Sequence, residues 1–403
     1  MTSLLKRPWI WSFVAAALVF LTTIVFTGGA STLGLGQAAL TFAAFSILVG
    51  LGQMLVITLG PGNIDLSVPA NMTLAGTVAL KVMNGDNGTI LIGLVVAVVI
   101  GIVIGIGNYA LIKLLRIPPI IATLSMSFII QSSAIWTNRG LRIKPPQALA
   151  DFTTASTLGV PNVAFVAFAL SLIVWFVLNK TVYGRWIAAI GQSIRAARMT
   201  GIPIDGARLV TYVLCAVLAS LCGYLLASFS GGAALNMGTE YLLMSIAVVV
   251  IGGTAVAGGN SNVPGIWGAS LFMFLVVSML NTYGFGAGIR LILTGFIIIA
   301  VIMLPVRSTN ARTCRTDPCR IIPFMRSTIR AFAISSSAVQ PWKNSIPAAA
   351  GRKVPSGSTM RGISCSRTSP TSASCAGWRA AVFQSSAAPP ISQMATRATV
   401  RDG

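Results

Sequence analysis

Thr89-Ile-Leu-Ile-Gly-Leu-Val-Val-Ala-Val-Val-Ile-Gly-Ile-Val-Ile-Gly-Ile-Gly-Asn-Tyr-Ala-Leu-Ile112 is an unbroken apolar run without a charged side chain. At about 1.5 Å per residue, a helix of this length exceeds the roughly 30 Å hydrocarbon core of a bilayer. Runs of the same kind lie on both sides, at 9–26, 37–59, 67–83, 118–136, 162–179, 209–229, 241–257, 262–281 and 289–304. Together they predict an all-α, polytopic transmembrane bundle of about ten spans, in a range of eight to ten because Gly and Pro interrupt several. The composition agrees, with 55% hydrophobic residues, 9% charged residues and a mean hydropathy of +0.84. Soluble domains carry about 25% charged residues.

The net charge of +21 divides unevenly: residues 1–306 hold 14 Lys/Arg and 5 Asp/Glu, and residues 307–403 hold 14 and 2. A strongly basic chain ordinarily suggests nucleic acid. Here the basic residues of the first part cluster in short loops, which points to membrane topology and to no nucleic-acid partner. Lys6 and Arg7 place the N-terminus in the cytoplasm. Alternating spans then put Lys113, Arg116 and the loop 180–208 inside, and the loop 84–88, Asn-Gly-Asp-Asn-Gly, outside. The loop 137–161, with Arg139, Arg142 and Lys144, falls outside against the trend. The first run could also be read as a signal peptide ending at Gly28–Ser31, but its length and the spans that follow favour an uncleaved anchor.

After Pro305 the apolar pattern stops. Residues 307–403 form a basic, low-complexity tail rich in Arg, Ser, Ala, Pro and Thr. A disordered tail is one reading. Its scattered Cys and Trp favour the other, a C-terminus read out of frame. The domain division expected is therefore 1–306 for the membrane part and 307–403 for the tail.

Enzymatic chemistry finds no foothold. There is no His, no phosphate loop of the form Gly-x-x-x-x-Gly-Lys-Ser/Thr, no Gly-x-Ser-x-Gly elbow and no zinc spacing among the 6 Cys. No catalytic residue, metal or bound cofactor is expected. Cys215 and Cys222, inside an apolar run, read as small packing residues.

Two breaks interrupt the apolar pattern. Gly60-Pro-Gly-Asn-Ile-Asp-Leu-Ser67 places an ionisable Asp65 between two spans. Irregular backbone at membrane depth persists where it is buried in protein or lines a wet cavity. The plainer alternative makes Asp65 an N-cap for 67–83. The second break runs Ile251-Gly-Gly-Thr-Ala-Val-Ala-Gly-Gly-Asn-Ser-Asn-Val-Pro-Gly265. Val68-Pro69 and Val263-Pro264 follow the two breaks in matching places, a pattern that fits two parallel repeats. The residues that stand out around the two breaks are Asn63, Asp65, Ser67, Asn71, Gly252, Gly253, Thr254 and Asn260. In the loop 180–208, Ser193 suits an N-cap and Gly201 a C′ position, which predicts a short helix with Arg195 and Arg198 on one face. Charge alone would make this a solvated loop; a helix there suggests docking of a cytoplasmic partner.

Four segments resemble the permeases of the ribose/xylose/galactose class of ABC importers. They are Asn63-Ile-Asp-Leu-Ser-Val68, Arg116-Ile-Pro-Pro-Ile-Ile-Ala-Thr-Leu124, the loop residues Gly184-Arg185, Ile190-Gly191 and Ala196-Ala197-Arg198-x-x-Gly201-Ile202, and Val248-Val-Val-Ile-Gly-Gly-Thr254 followed by Gly258-Gly259. They occur in the family's order. Pro69, where the family often has Gly, and Asn260-Ser-Asn262 depart from it. The resemblance implies a bacterial inner-membrane permease, homodimeric or paired with a second permease chain. A periplasmic or lipid-anchored sugar-binding protein would deliver the solute, and a separate cytoplasmic ATPase would use the ATP. Gly184, Arg185, Ile190, Gly191, Arg195, Ala196, Ala197, Arg198, Gly201 and Ile202 would couple to that ATPase, and Asn63, Asp65, Ser67, Asn71, Gly252, Gly253, Thr254 and Asn260 would lie along the translocation pathway or its gate. The competing readings are an ion-coupled secondary transporter, with Asp65, Glu240 and Arg290 as its ionisable candidates, and a membrane scaffold.

Overall fold

The computed structural model describes residues 8–26, 32–138, 144–284 and parts of 288–296. The tail and most of the expected last span, Arg290 included, lie outside the described residues. Within them the regular structure is helical apart from one two-stranded hairpin, with irregular chain at 59–67 and 252–262 among the connections.

The long helices follow the apolar runs: α1 (Pro8–Phe26), α2 (Thr32–Thr58), α3 (Val68–Met83), α4 (Ile90–Leu115), α5 (Pro119–Thr137), α7 (Asn162–Lys180), α10 (Ile204–Phe229), α11 (Thr239–Ile251) and α12 (Val263–Thr282). Nine of the ten expected segments are thus helices. Six of these helices are long and apolar enough to cross a membrane: those in α2, α4, α5, α7, α10 and α12. α1 and α11 are shorter apolar helices, and α3 has 16 residues.

The connections hold structure of their own. In the loop 137–161, α6 (Gln147–Thr154) is followed by a hairpin of β1 (Ser156–Thr157) and β2 (Val160–Pro161). The loop 180–208 holds two helices, α8 (Val182–Gln192) and α9 (Ile194–Met199), where one was expected. The Thr181 hydroxyl accepts from Gly184 N–H at 3.4 Å and starts α8; its Ile187 and Ile190 are buried. The segment expected as a helix over 241–257 ends at Ile251, because Gly253 adopts φ +83°.

α2 and α10 form the middle of the bundle, with 83% and 67% of their apolar windows buried, against 28%, 22% and 28% for α4, α5 and α7. Glycines let α10 sit close to its neighbours. A Cβ at Gly105 would lie 2.5 Å from Val213 Cα, and one at Gly223 would lie 2.1 Å from Met72 O. Membrane bundles gain van der Waals contact from such small residues, since lipid offers helices no hydrophobic drive to associate. Outward, α4 shows Leu91, Val95, Val99 and Val103, and α7 shows Phe165, Phe168, Leu172 and Phe176, all exposed. Helical spacing gives each helix an apolar face suited to lipid. Cys215 and Cys222 are buried and form no disulfide, and the Cys222 thiol donates to Phe45 O at 3.4 Å.

The bundle has two distinct ends. At one, Ala148 N–H donates to Asn87 Oδ1 at 3.1 Å, so α6 meets the 84–89 turn. At the other lie the ends of α4 and α7, the start of α10, and α8 and α9. This second end carries Lys113, Arg116, Lys180, Arg185, Arg195, Arg198 and Arg208, seven of the nine described Lys/Arg. There Lys113 Nζ lies 3.1 Å from Asp205 Oδ2, and Tyr109 donates to Asp205 Oδ1 at 3.0 Å.

Candidate translocation gate

The first break is held by side chains. Gly60 (φ +120°) and Gly62 (φ +79°) turn the chain out of α2, and Asn63 Nδ2 donates to Gly60 O at 3.1 Å. Asp65 is 1% exposed. Its Oδ1 accepts from Ser67 N–H at 2.9 Å and from Ser67 Oγ at 2.6 Å. The helix α3 begins after Ser67, and Ser67 makes no side-chain cap bond. Asp65 is therefore no N-cap of that helix. It closes a turn two residues upstream, because the turn out of α2 leaves Ser67 N–H as the nearest free donor.

Three more helices reach this turn. From α4, Asn108 Nδ2 donates to Ser67 Oγ at 2.8 Å and lies 3.5 and 3.4 Å from the two Asp65 carboxylate oxygens. From α5, the Thr123 hydroxyl accepts from Leu66 N–H at 3.1 Å. From α10, Tyr212 donates to Asn63 Oδ1 at 3.4 Å. With its amide nitrogen turned toward Asp65 O, Gln53 of α2 pairs with both backbone groups of Asp65, at 3.3 and 3.2 Å. One turn into α3, Asn71 Nδ2 donates to Ala216 O and its Oδ1 accepts from Ser220, each at 2.8 Å. The four predicted residues Asn63, Asp65, Ser67 and Asn71 thus form one buried polar seam along α10.

Sequence reading missed Gln53, Asn108, Thr123, Tyr212 and Ser220. A usable signal was present for two of them: Gln53 and Asn108 are lone amides deep in apolar runs. Such side chains face the bundle interior, where the alternative is an unpaired polar group in hydrocarbon.

The second break takes no part in that seam. Asn262 Nδ2 donates to Gly252 O at 2.9 Å. Gly253 is half-buried, Thr254 is 4% exposed with its hydroxyl unpaired, and Asn260 is exposed. The two breaks meet elsewhere: Gly259 N–H donates to Thr58 O at 2.9 Å.

The predicted short helix is α9. Ser193 Oγ accepts from Ala196 N–H at 3.3 Å. At its far end Gly201 adopts φ +76°, and Ile202 N–H reaches back to Ala197 O at 3.2 Å. Ala197 is buried, while Arg195, Ala196 and Arg198 are exposed and Met199 is 91% exposed. On α8, Arg185 is exposed while Gly184, Ile190 and Gly191 are buried. Burial pushes the Tyr183 phenol up to about 12, so its bond to Thr211 at 2.7 Å is a neutral one. A cleft of about 580 Å³ opens between the first break, the α4–α5 turn and the α8–α9 junction. Arg116 and Arg208 line it with Asn63, Pro119 and Ser193, and no acidic residue does.

The bundle thus sets a buried polar break beside an exposed, capped basic helix. Residues 35–302 match the family described as "Branched-chain amino acid transport system / permease component". The chain belongs to this permease family. The permease is 31% identical over 305 residues to a probable ABC transporter permease protein of Sinorhizobium fredii, covering 74% of this chain and 90% of that one. It is 29% identical over 262 residues to the ribose import permease protein of Escherichia coli, covering 64% and 81%. With the autoinducer 2 import system permease protein of Photorhabdus luminescens it shares 26% over 302 residues, covering 73% and 90%. No solved structure matches. The permease is thus the membrane-spanning component of an ABC importer. Neither the ion-coupled nor the scaffold reading gains support: Glu240 is exposed in the first turn of α11, and Asp65 is enclosed by uncharged hydrogen-bond partners.

Proposed function

We propose that the permease carries a monosaccharide or a similar small polar solute through the inner membrane, with the break at 60–67 as part of its gate. The relatives named for ribose and autoinducer 2 import support the solute class. The basic end faces the cytoplasm, in keeping with the positive-inside bias, and Asn63, Asp65, Ser67 and Asn71 hold the gate segment in place. Gly252, Gly253, Thr254 and Asn260 belong to its second half.

One observation carries the coupling: α9 projects two exposed arginines and an exposed methionine, while α8 below it is packed against the break. A separate cytoplasmic ATPase docks there on the exposed Arg185, Arg195, Ala196 and Arg198, while the buried Gly184, Ile190, Gly191 and Ala197 seat the two helices and Gly201 and Ile202 close α9. The ATPase partner uses the ATP, and a binding protein delivers the solute from outside. A second permease chain meets α5. That helix is the least apolar of the six long ones, with a hydropathy of 1.4, and is 22% buried. Its Phe128, Ile129, Ser132, Ser133 and Trp136 line a shallow cleft of about 500 Å³.

Pull-down of a cognate ABC-importer ATPase co-expressed with the permease tests the coupling. Arg198→Glu reverses an exposed charge and should lose the ATPase by about tenfold, as loss of one charge-assisted contact predicts; Gly201→Pro cannot hold φ +76° and should lose it by unseating α9. Membrane insertion should stay unchanged. Recovery of the ATPase at wild-type levels with both variants would refute the docking role.

A further inference from the structure

We infer that Gly60, Gly191, Gly258 and Gly259 form a backbone clasp that carries movement of α8 and α9 to both breaks together. The inference rests on the reading of α9 as the ATPase-docking helix, and it adds the route by which docking reaches the gate.

At the clasp three chain segments meet mostly backbone to backbone, with the Gln192 side chain set against Gly259. A Cβ at Gly191 would lie 2.0 Å from Thr58 O and 2.2 Å from Gly259 N. One at Gly258 would lie 2.4 Å from Gly60 Cα and 3.1 Å from Gly191 O. The bond from Gly259 N–H to Thr58 O, 2.9 Å, ties the second break to the end of α2. Other glycines at this end lack such neighbours: Gly62, Gly201 and Gly206 have nothing within 4 Å of a Cβ. Room for a side chain is thus lacking at Gly191 and Gly258 and present at Gly62, Gly201 and Gly206; Gly62 and Gly201 are glycine for their positive φ instead.

Side-chain interfaces absorb small displacements by changing rotamer. Backbone in direct contact cannot, so a shift of α8 must displace Thr58–Gly60 and Gly258–Gly259 or break the contact. Close-packed elements behave as bistable units for this reason. Gly191 is the last buried residue of α8 before Ser193 turns the chain into α9. Whatever moves α9 therefore pulls on the clasp through two residues of chain. Gly191 is a positioning residue here: it touches no solute in this scheme.

The test follows maleimide labelling of the full-length permease in complex with its ATPase. Cysteines at two exposed places, Pro61→Cys and Val256→Cys, report the two breaks. Cys314, Cys319, Cys365 and Cys375 are changed to serine, and the buried Cys215 and Cys222 are kept. Adding a non-hydrolysable ATP analogue should change both labelling rates by about fivefold or more, the low end of allosteric coupling. Gly191→Ala should retain the ATPase and lose the response at both positions, while Gly206→Ala should respond as wild type does. A nucleotide response that survives Gly191→Ala, or that touches one break and not the other in the wild type, would overturn the clasp. Failure of the wild-type permease to hold the ATPase would instead overturn the docking reading, and the clasp with it. Should Gly191→Ala not insert, hydrogen exchange on the unmodified complex decides. Peptides over 56–64 and 255–262 should change protection at the same nucleotide step, and independent changes would refute the inference.

Discussion

The breaks at 60–67 and 252–265 look alike in sequence and are held by different means. Each has paired glycines, an asparagine and a Val-Pro that opens the next helix. In the first, Asp65 and Ser67 gather amides from α2 and α4, Leu66 N–H finds the Thr123 hydroxyl of α5, and Asn63 gathers Tyr212 from α10, so the irregular backbone is satisfied by side chains. In the second, carbonyls and amides are satisfied at close range by backbone and by Asn262, and glycine is there because nothing larger fits. A polar seam tolerates some change of side chain if the hydrogen bonds are kept. A backbone contact tolerates none.

The largest expected effect is at the tightest contact. A Cβ at Gly265 would lie 1.8 Å from Gly252 O, so Gly265→Ala should cost about 3 kcal/mol, the upper range for overpacking. A thermal melt of the detergent-solubilised permease would show it, and an unchanged midpoint would mean that the second break is not a backbone contact. Next comes the seam. Asp65→Ala leaves Ser67 N–H and the Asn108 amide short of an acceptor inside the bundle, for about 2 kcal/mol. Asp65→Asn keeps an oxygen in place and should cost less than half of that. Equal losses in solute uptake and melting for the two variants would show that the charge itself matters, which would revive ion coupling.

Smaller still is Asn108→Leu, expected to destabilise by about 1 kcal/mol because it frees a Ser67 acceptor but also removes the unpaired Asn108 Oδ1. A cost well above that for Asp65→Ala would make α4, and not the break, the anchor of the seam. The smallest effect is expected from ending the chain after Val306. Insertion and melting should be unchanged within about 0.5 kcal/mol, the usual range for changes away from packed features. Loss of insertion would give residues 307–403 a structural task, and reading the coding DNA in its other frames would tell whether they belong to the protein.

Much of this was legible in the chain, for a local reason. Hydropathy acts over some twenty residues, so α4 and α7 were placed within a few residues of their ends. Caps act over four, so Ser193 and Gly201 bounded α9 correctly. The reading failed where a choice depended on distant partners. Asp65 could have capped α3, and its turn was decided by what Asn108, Thr123 and Gln53 bring to it. Residues 182–192 lie in a connection set apart by its basic residues, and the seat for Ile187 and Ile190 makes them a half-buried helix.

By itself, then, the sequence determined a polytopic helical membrane chain, its two interruptions, its basic end and its family, because solvent transfer and short-range backbone chemistry are written residue by residue. Tertiary structure alone decided that the two interruptions touch at Gly258 and Gly60, that Gly191 wedges beside them, and that the amides of α2 and α4 converge on Asp65. Those contacts join residues far apart in the chain, and glycine and asparagine look the same in a sequence whether they face a neighbour or open space.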